Sequence, residues 1–150
     1  MSLDFYLVSD EVSVVENGPR IFARRDGSTV EISRDEWDAL HPGVEPVTFA
    51  STEDPREVFS ANITHNLGEM ADAAGIYECL WHPGRLRLTR AGQLVEPLQR
   101  GLVALRADRI YFERFNARNG WGMYDHFESF VERVLAACRE YPDALIRVSI

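Results

Sequence analysis

The chain contains no lysine: all sixteen basic residues are arginine, against twenty-four aspartates and glutamates, for a net charge of −8 over 150 residues. Binding nucleic acid through its phosphates needs concentrated positive charge to displace counterions, so this balance excludes that class of partner. It leaves room for a protein or small-molecule partner. Cysteine is scarce as well. Cys79 and Cys138 stand far apart at apolar positions with helical spacing, which excludes a disulfide framework and paired-cysteine metal motifs and predicts two buried thiols. Long apolar runs are missing, and about 18 consecutive apolar residues would be needed to span a membrane as a helix. The opening Met-Ser-Leu-Asp has no basic stretch leading into an apolar one, so a cytoplasmic location is expected.

Complete catalytic motifs are also missing. No His-Glu-x-x-His occurs, and the glycines of Asn17-Gly18-Pro19 and Arg90-Ala-Gly92 are too isolated to make a phosphate loop. Ser60, Thr64 and Cys79 are the nucleophiles nearest His65 in sequence, but none sits in a recognisable nucleophile elbow. The glycosylation tripeptide Asn62-Ile-Thr64 carries no weight without a secretion signal. No cofactor and no catalytic residue is therefore assigned.

The remaining residues specify a folded α+β domain. Apolar residues make up 45% and charged residues 27%, which excludes global disorder. The length suits one domain over 1–150, with a strand-rich portion 1–50 and a helix-rich portion 55–150 divided at the acidic, proline-bearing stretch Ser51–Arg56. Phe5–Val8 and Val12–Val15 read as strands, with Asn17-Gly18 as a reversal. Ile21–Arg25 and Thr29–Ile32 make a hairpin about Asp26-Gly27. Ser33 and Glu36 have capping-box spacing, with Ile32 and Trp37 placed for a hydrophobic staple, and the helix they open ends at His41-Pro42-Gly43. Val44–Ala50 reads as a further strand that Pro46 limits to an edge.

Phe59, Ile63, Leu67, Met70 and Ala74 recur at steps of three and four, which predicts a central helix ending at Gly75 and starting either at Pro55, capped by Asp54, or at Asn62. Ile76–Trp81 is a short apolar face before Pro83-Gly84. Leu94, Leu98, Leu102 and Leu105 mark another helix that Pro97 starts or kinks, and Ile110–Phe115 a helical turn. Tyr124, Phe127, Val131, Val134, Leu135 and Cys138 mark the longest amphipathic helix. The alternation of Ala144, Ile146, Val148 and Ile150 predicts a last strand pairing with an N-terminal one. The expected architecture is a small antiparallel sheet of N-terminal strands plus the C-terminal strand, packed against a helical bundle that includes Asn62–Ala74 and Tyr124–Tyr141.

Asn62-Ile-Thr-His-Asn-Leu-Gly-Glu-Met70 carries more amides and polar groups than solubility requires. Asparagine is a weak helix former, and a buried amide needs partners, so this segment calls for specific contacts elsewhere. Asn119-Gly-Trp-Gly122 is a second segment that mixes an amide with a ring. Together they nominate a ligand-binding site of Asn62, His65, Asn66, Tyr77, Trp81, Asn119, Trp121 and Tyr124, in which aromatic walls and amide donors suit a small planar or sugar-like ligand. The plainer use of the same residues is structural, with Asn62 as a cap, Asn66 bridging to a loop, and His65 and Glu69 as a solvated pair. A metal site from His65, Glu69, His126 and His82 lacks the tight ligand spacing of zinc motifs, so no metal is assigned. Acidic residues gather in the first third (Glu11, Glu16, Asp35, Glu36, Asp38, Glu45, Glu53, Asp54), as on a surface that steers a basic protein.

The strings Asn62–Leu67, Met70-Ala71, Ala74-Gly-Ile-Tyr77, Leu80-Trp81, Asn119–Gly122 and Tyr124 resemble a family of small, uncharacterised bacterial and phage-encoded proteins. The resemblance covers residues 58–150 and implies no activity, cofactor or substrate. The residues themselves favour a non-catalytic cytosolic binding module for a protein or small ligand. The alternative is a small hydrolase-like enzyme using His65 as general base or metal ligand.

Overall fold

A computed structural model gives the structure of residues 2–10, 20–49 and 56–150. The expected strand Val12–Val15, the turn Asn17-Gly18, the dividing stretch 51–55 and the helix start at Asp54-Pro55 lie outside these residues. In chain order the elements are β1 (Ser2–Val8), β2 (Arg20–Arg25), β3 (Ser28–Ile32), α1 (Arg34–Leu40), β4 (Thr48–Phe49), β5 (Glu57–Thr64), α2 (Gly68–Ala73), α3 (Tyr77–Trp81), α4 (Gly92–Ala107), α5 (Arg109–Glu113), α6 (Tyr124–Glu140) and β6 (Leu145–Ser149). Contacts cluster into two compact units, Met1–Val12 with Arg56–Ile150, and Ser13–Pro55.

In the smaller unit, the β2–β3 hairpin turns at Asp26 and Gly27, whose φ of 50° and 78° give the doubly left-handed backbone that matches strand twist. The order is β3-β2-β4. α1 opens with the reciprocal capping box: the Glu36 N–H donates to Ser33 Oγ (3.2 Å) and the Ser33 N–H to the Glu36 carboxylate (3.0 Å). The Trp37 indole N–H donates to the Val44 carbonyl at 2.7 Å, holding the chain after the turn at Gly43. Residues 44–47 are irregular, so among the described residues the strand expected over Val44–Ala50 is present only at Thr48–Phe49.

The larger unit is built on a three-stranded antiparallel sheet of order β5-β1-β6 with helices packed against it, an α+β architecture. The C-terminal strand β6 pairs with β1, Phe5 opposite Val148 and Leu7 opposite Ile146. β2 and β3 belong to the separate sheet of the smaller unit. The other neighbour of β1 is β5, with Leu3 opposite Ile63 and Phe5 opposite Ala61. The helix expected from Asn62 is therefore corrected: residues 57–64 are a strand, followed by a 3-10 turn at His65–Leu67 and then α2. Phe59 and Ile63 are four residues apart, an even number, so they share a face on a strand as well as on a helix. Pairing with β1 decides between the two, burying Ala61 and Ile63 while leaving Ser60 and Asn62 exposed.

One face of the sheet carries Leu3, Phe5 and Leu7, all fully buried under the helices. The opposite face is polar: Asn62 donates to the Asp4 carboxylate, and Arg147 lies 4.7 Å over the Tyr6 ring and 3.3 Å from Glu57. α4 buries Leu94, Leu98, Leu102 and Leu105 and runs through Pro97 without ending there. α6 buries Phe127, Phe130, Val131, Val134, Leu135 and Cys138. No helix among the described residues is long and apolar enough to cross a membrane.

Both cysteines are free and buried in this core. Burial pushes the Cys79 thiol up to about 11, while burial and the nearby Cys79 sulfur push the Cys138 thiol up to about 12. A folded-state pKa above the unfolded value of about 8.5 means that the neutral thiols favour the fold fully below that pH. This contribution is lost as pH rises through about 11 and 12. A disulfide reagent at pH 8 is therefore expected to modify neither thiol in the native protein and both in denaturant; rapid native modification would contradict the buried placement.

Where α4 passes Ile76, Gly101 leaves no room: an added Cβ would lie 2.5 Å from Ile76 Cγ2 and 3.0 Å from its Cδ1. Gly101→Ala is expected to destabilise the fold by about 1–3 kcal/mol through overpacking, despite the better helix propensity of alanine. Urea unfolding measures it, and an unchanged or raised midpoint would contradict that packing.

Candidate functional site

The two amide-bearing segments come together where β5 ends. Thr64 closes the strand by accepting the Asn66 N–H at 3.4 Å, and the 3-10 turn His65–Leu67 follows. The Asn66 side-chain amide donates across 55 residues of sequence to the Trp121 carbonyl at 2.7 Å. Gly122 (φ 113°) is the closest point of approach, since a Cβ there would lie 3.0 Å from Asn66 Cβ and 3.2 Å from Thr64 Cγ2. Glycine at this position supplies both the left-handed backbone and the space.

The loop is tied to itself as firmly as to the turn. The Ala117 N–H donates to the Gly122 carbonyl at 3.0 Å, and the Trp121 N–H to Asn119 Oδ1 at 3.0 Å. The Tyr124 N–H donates to Asn116 Oδ1 at 2.7 Å, satisfying an orphan donor at the start of α6. These amides hold the main chain in place, and they leave hollows on either side of the loop. One, of about 590 Å³, is lined by His65, Asn66, Glu69, Arg114, Phe115, Asn116, Ala117, Arg118 and Asn119. The other, of about 500 Å³, lies among Ser2, Asn62, Ile63, Thr64, Leu67, Gly120, Trp121, Gly122 and His126.

The nominated residues therefore separate. His65, Asn66 and Asn119 line the first hollow, and Asn62 and Trp121 the second. Trp81 is 1% exposed and lies behind His65, with Tyr77 stacked on it at 5.0 Å. Tyr124 lines neither hollow. Its buried hydroxyl donates to the Leu105 carbonyl at 2.8 Å, and Arg109 sits 4.8 Å from the ring centre. Burial, and then Glu128, push its phenol above the ordinary range. Helical spacing put Tyr124 on the core face of α6, and its hydroxyl is satisfied there rather than offered to a ligand.

His65 is held by an indole and not by Glu69. The Trp81 indole N–H donates to His65 Nδ1 at 3.0 Å. Nδ1 is thus the acceptor and the neutral ring carries its proton on Nε2, an atom that is buried without a partner among the described residues. A general base needs a nitrogen free to take a proton from a substrate, and a metal ligand needs a lone pair directed at the ion. Neither nitrogen of His65 offers one in this arrangement. Among the described residues no group of three or more His, Cys, Asp or Glu is placed to hold a metal ion.

Sequence reasoning passed over Arg114, Arg118 and Asn116 in the first hollow. Arg114 ends α5 and Arg118 lies in the following turn, so no periodic pattern marks them. Asn116 sits eight residues ahead of the amide it meets, outside the usual local capping distance.

Asn66→Ala removes the bridge and leaves the Trp121 carbonyl without that donor, at an expected cost of about 1–2 kcal/mol in unfolding free energy. Amide exchange should accelerate at residues 117–122 more than in α4, and unchanged exchange in the loop would show that the bridge does not hold it. Neither a family model, nor a curated protein, nor a solved structure matches this chain.

Proposed function

We propose that the chain is a non-catalytic binding module for a protein or small ligand, with the Asn119–Gly122 loop and its flanking hollows as the contact. The observation that carries this reading is Trp121. The residue is 72% exposed, while its N–H and carbonyl are fixed by Asn119 and Asn66. A large exposed ring on a clamped backbone keeps apolar area available at little ordering cost, which is the usual character of a binding anchor.

The hollows and the neighbouring amides suit a small planar or sugar-like compound, and the same ring could seat a side chain of a protein partner. The free thiols fit a cytoplasmic setting. A small hydrolase-like enzyme using His65 as general base or metal ligand has less support, because both ring nitrogens are engaged or shielded.

A panel of planar aromatic and sugar-like compounds read by tryptophan fluorescence and thermal melting tests the proposal. At least one compound is expected to shift the exposed-tryptophan emission and raise the melting temperature. Trp121→Ala should abolish both responses while moving the protein's own melting temperature by less than about 2 °C. A large loss of stability in Trp121→Ala, with no compound bound by the parent protein, would assign the ring to structure instead.

A further inference from the structure

We infer that the hollow bounded by Asn66, Glu69, Arg114, Asn116, Arg118 and Asn119 takes an oxyanion, a carboxylate or phosphate carried on a small planar body. The inference rests on the binding-module reading and names the chemistry of its ligand. It follows from which ends of the side chains are already engaged. A main-chain N–H can be met only by an amide oxygen, so the Asn116 and Asn119 oxygens are fixed on the N–H groups of Tyr124 and Trp121. Each residue is left with its NH2 group, a donor. Asn66 gives one hydrogen to the Trp121 carbonyl and keeps a second, together with its oxygen, so that it can donate or accept. Arg114 and Arg118 add guanidinium groups, which donate and never accept.

The arginines elsewhere show what such groups do when acids are near. Arg34, Arg106 and Arg109 each hold two carboxylates. Among the described residues Arg114 and Arg118 hold none, and Arg114 lies 5.8 Å from the Tyr111 ring centre. Glu69 is the single carboxylate lining the hollow, so two guanidinium groups and one acid give it a local charge of +1. On a chain of net charge −8, attraction of an anion would have to arise locally. The depression is open and broad, and Phe115 supplies apolar wall for the body that carries the charge.

Three probes of matched shape separate the possibilities: benzoate, phenyl phosphate and neutral benzamide, titrated at low salt and followed by the side-chain NH2 and arginine Nε resonances. Benzoate or phenyl phosphate is expected to shift the Asn116 and Asn119 NH2 signals at least about tenfold more tightly than benzamide, with affinity falling as salt rises. The preferred anion identifies the oxyanion source. Arg118→Gln alters an exposed side chain and should retain the fold, yet weaken anion binding by about tenfold; Arg114→Gln/Arg118→Gln should weaken it further, and Glu69→Gln should tighten it.

Equal binding of benzamide and the anions, unchanged anion binding in Arg118→Gln and the double variant, or no anion binding at all would overturn the inference. If benzamide alone binds and shifts Trp121, the oxyanion assignment fails while the binding-module reading stands. If none of the three binds and the wider compound panel is also silent, both fail.

Discussion

The larger unit depends on the alternation within β1. Leu3, Phe5 and Leu7 are completely removed from solvent; Leu3 and Phe5 lie opposite Ile63 and Ala61 of β5, and Phe5 and Leu7 opposite Val148 and Ile146 of β6. Loss of a fully buried phenylalanine side chain costs about 3–5 kcal/mol, a large part of the stability of a typical domain. With β1 in place, the end of β5 is fixed. The turn at His65–Leu67 starts at a defined point, and Asn66 is brought to face the loop before α6.

The site follows from that placement through hydrogen-bond stoichiometry more than through shape. A side-chain amide has an oxygen and an NH2 group, and the main chain it serves determines which of them remains free. Asn116 and Asn119 both meet N–H groups, Asn66 meets a carbonyl, and the arginines can only donate. Asn116 and Asn119 are left as donors because their oxygens serve the main chain, while Asn66 keeps its oxygen. Bracing the loop and shaping the wall are two results of one arrangement.

Sequence showed most where the signal is local. The Asp26-Gly27 hairpin, the Ser33–Glu36 capping box, the stripe of α6 and the alternation of the last strand each rest on short-range stereochemistry or clean periodicity. It misled at 57–64, where an apolar step of four cannot distinguish strand from helix and the partner strand, far away in sequence, decides. The site was legible in part. The amides and glycines marked two segments that touch, but the role of each amide depended on which main-chain group lay opposite. Tyr124 turned inward because helical phase outweighed its hydroxyl. Arg114 and Arg118 belong to no pattern, and only the fold of the turn beyond α5 brings them to one hollow.

The strand at the middle of the sheet has partners remote in sequence: Tyr6 lies opposite Ser60 on one side and Arg147 on the other. Neither flank can be zipped by a hairpin. Closure entropy has to be met before either ladder returns any stabilisation, and the β6 side spans nearly the whole chain. Strand pairing of this kind makes for slow, late assembly of the sheet, with the local helices α4 and α6 able to form ahead of it. Until β1 is seated, the inner edges of β5 and β6 keep their N–H and C=O groups unpaired, the kind of edge through which chains self-associate.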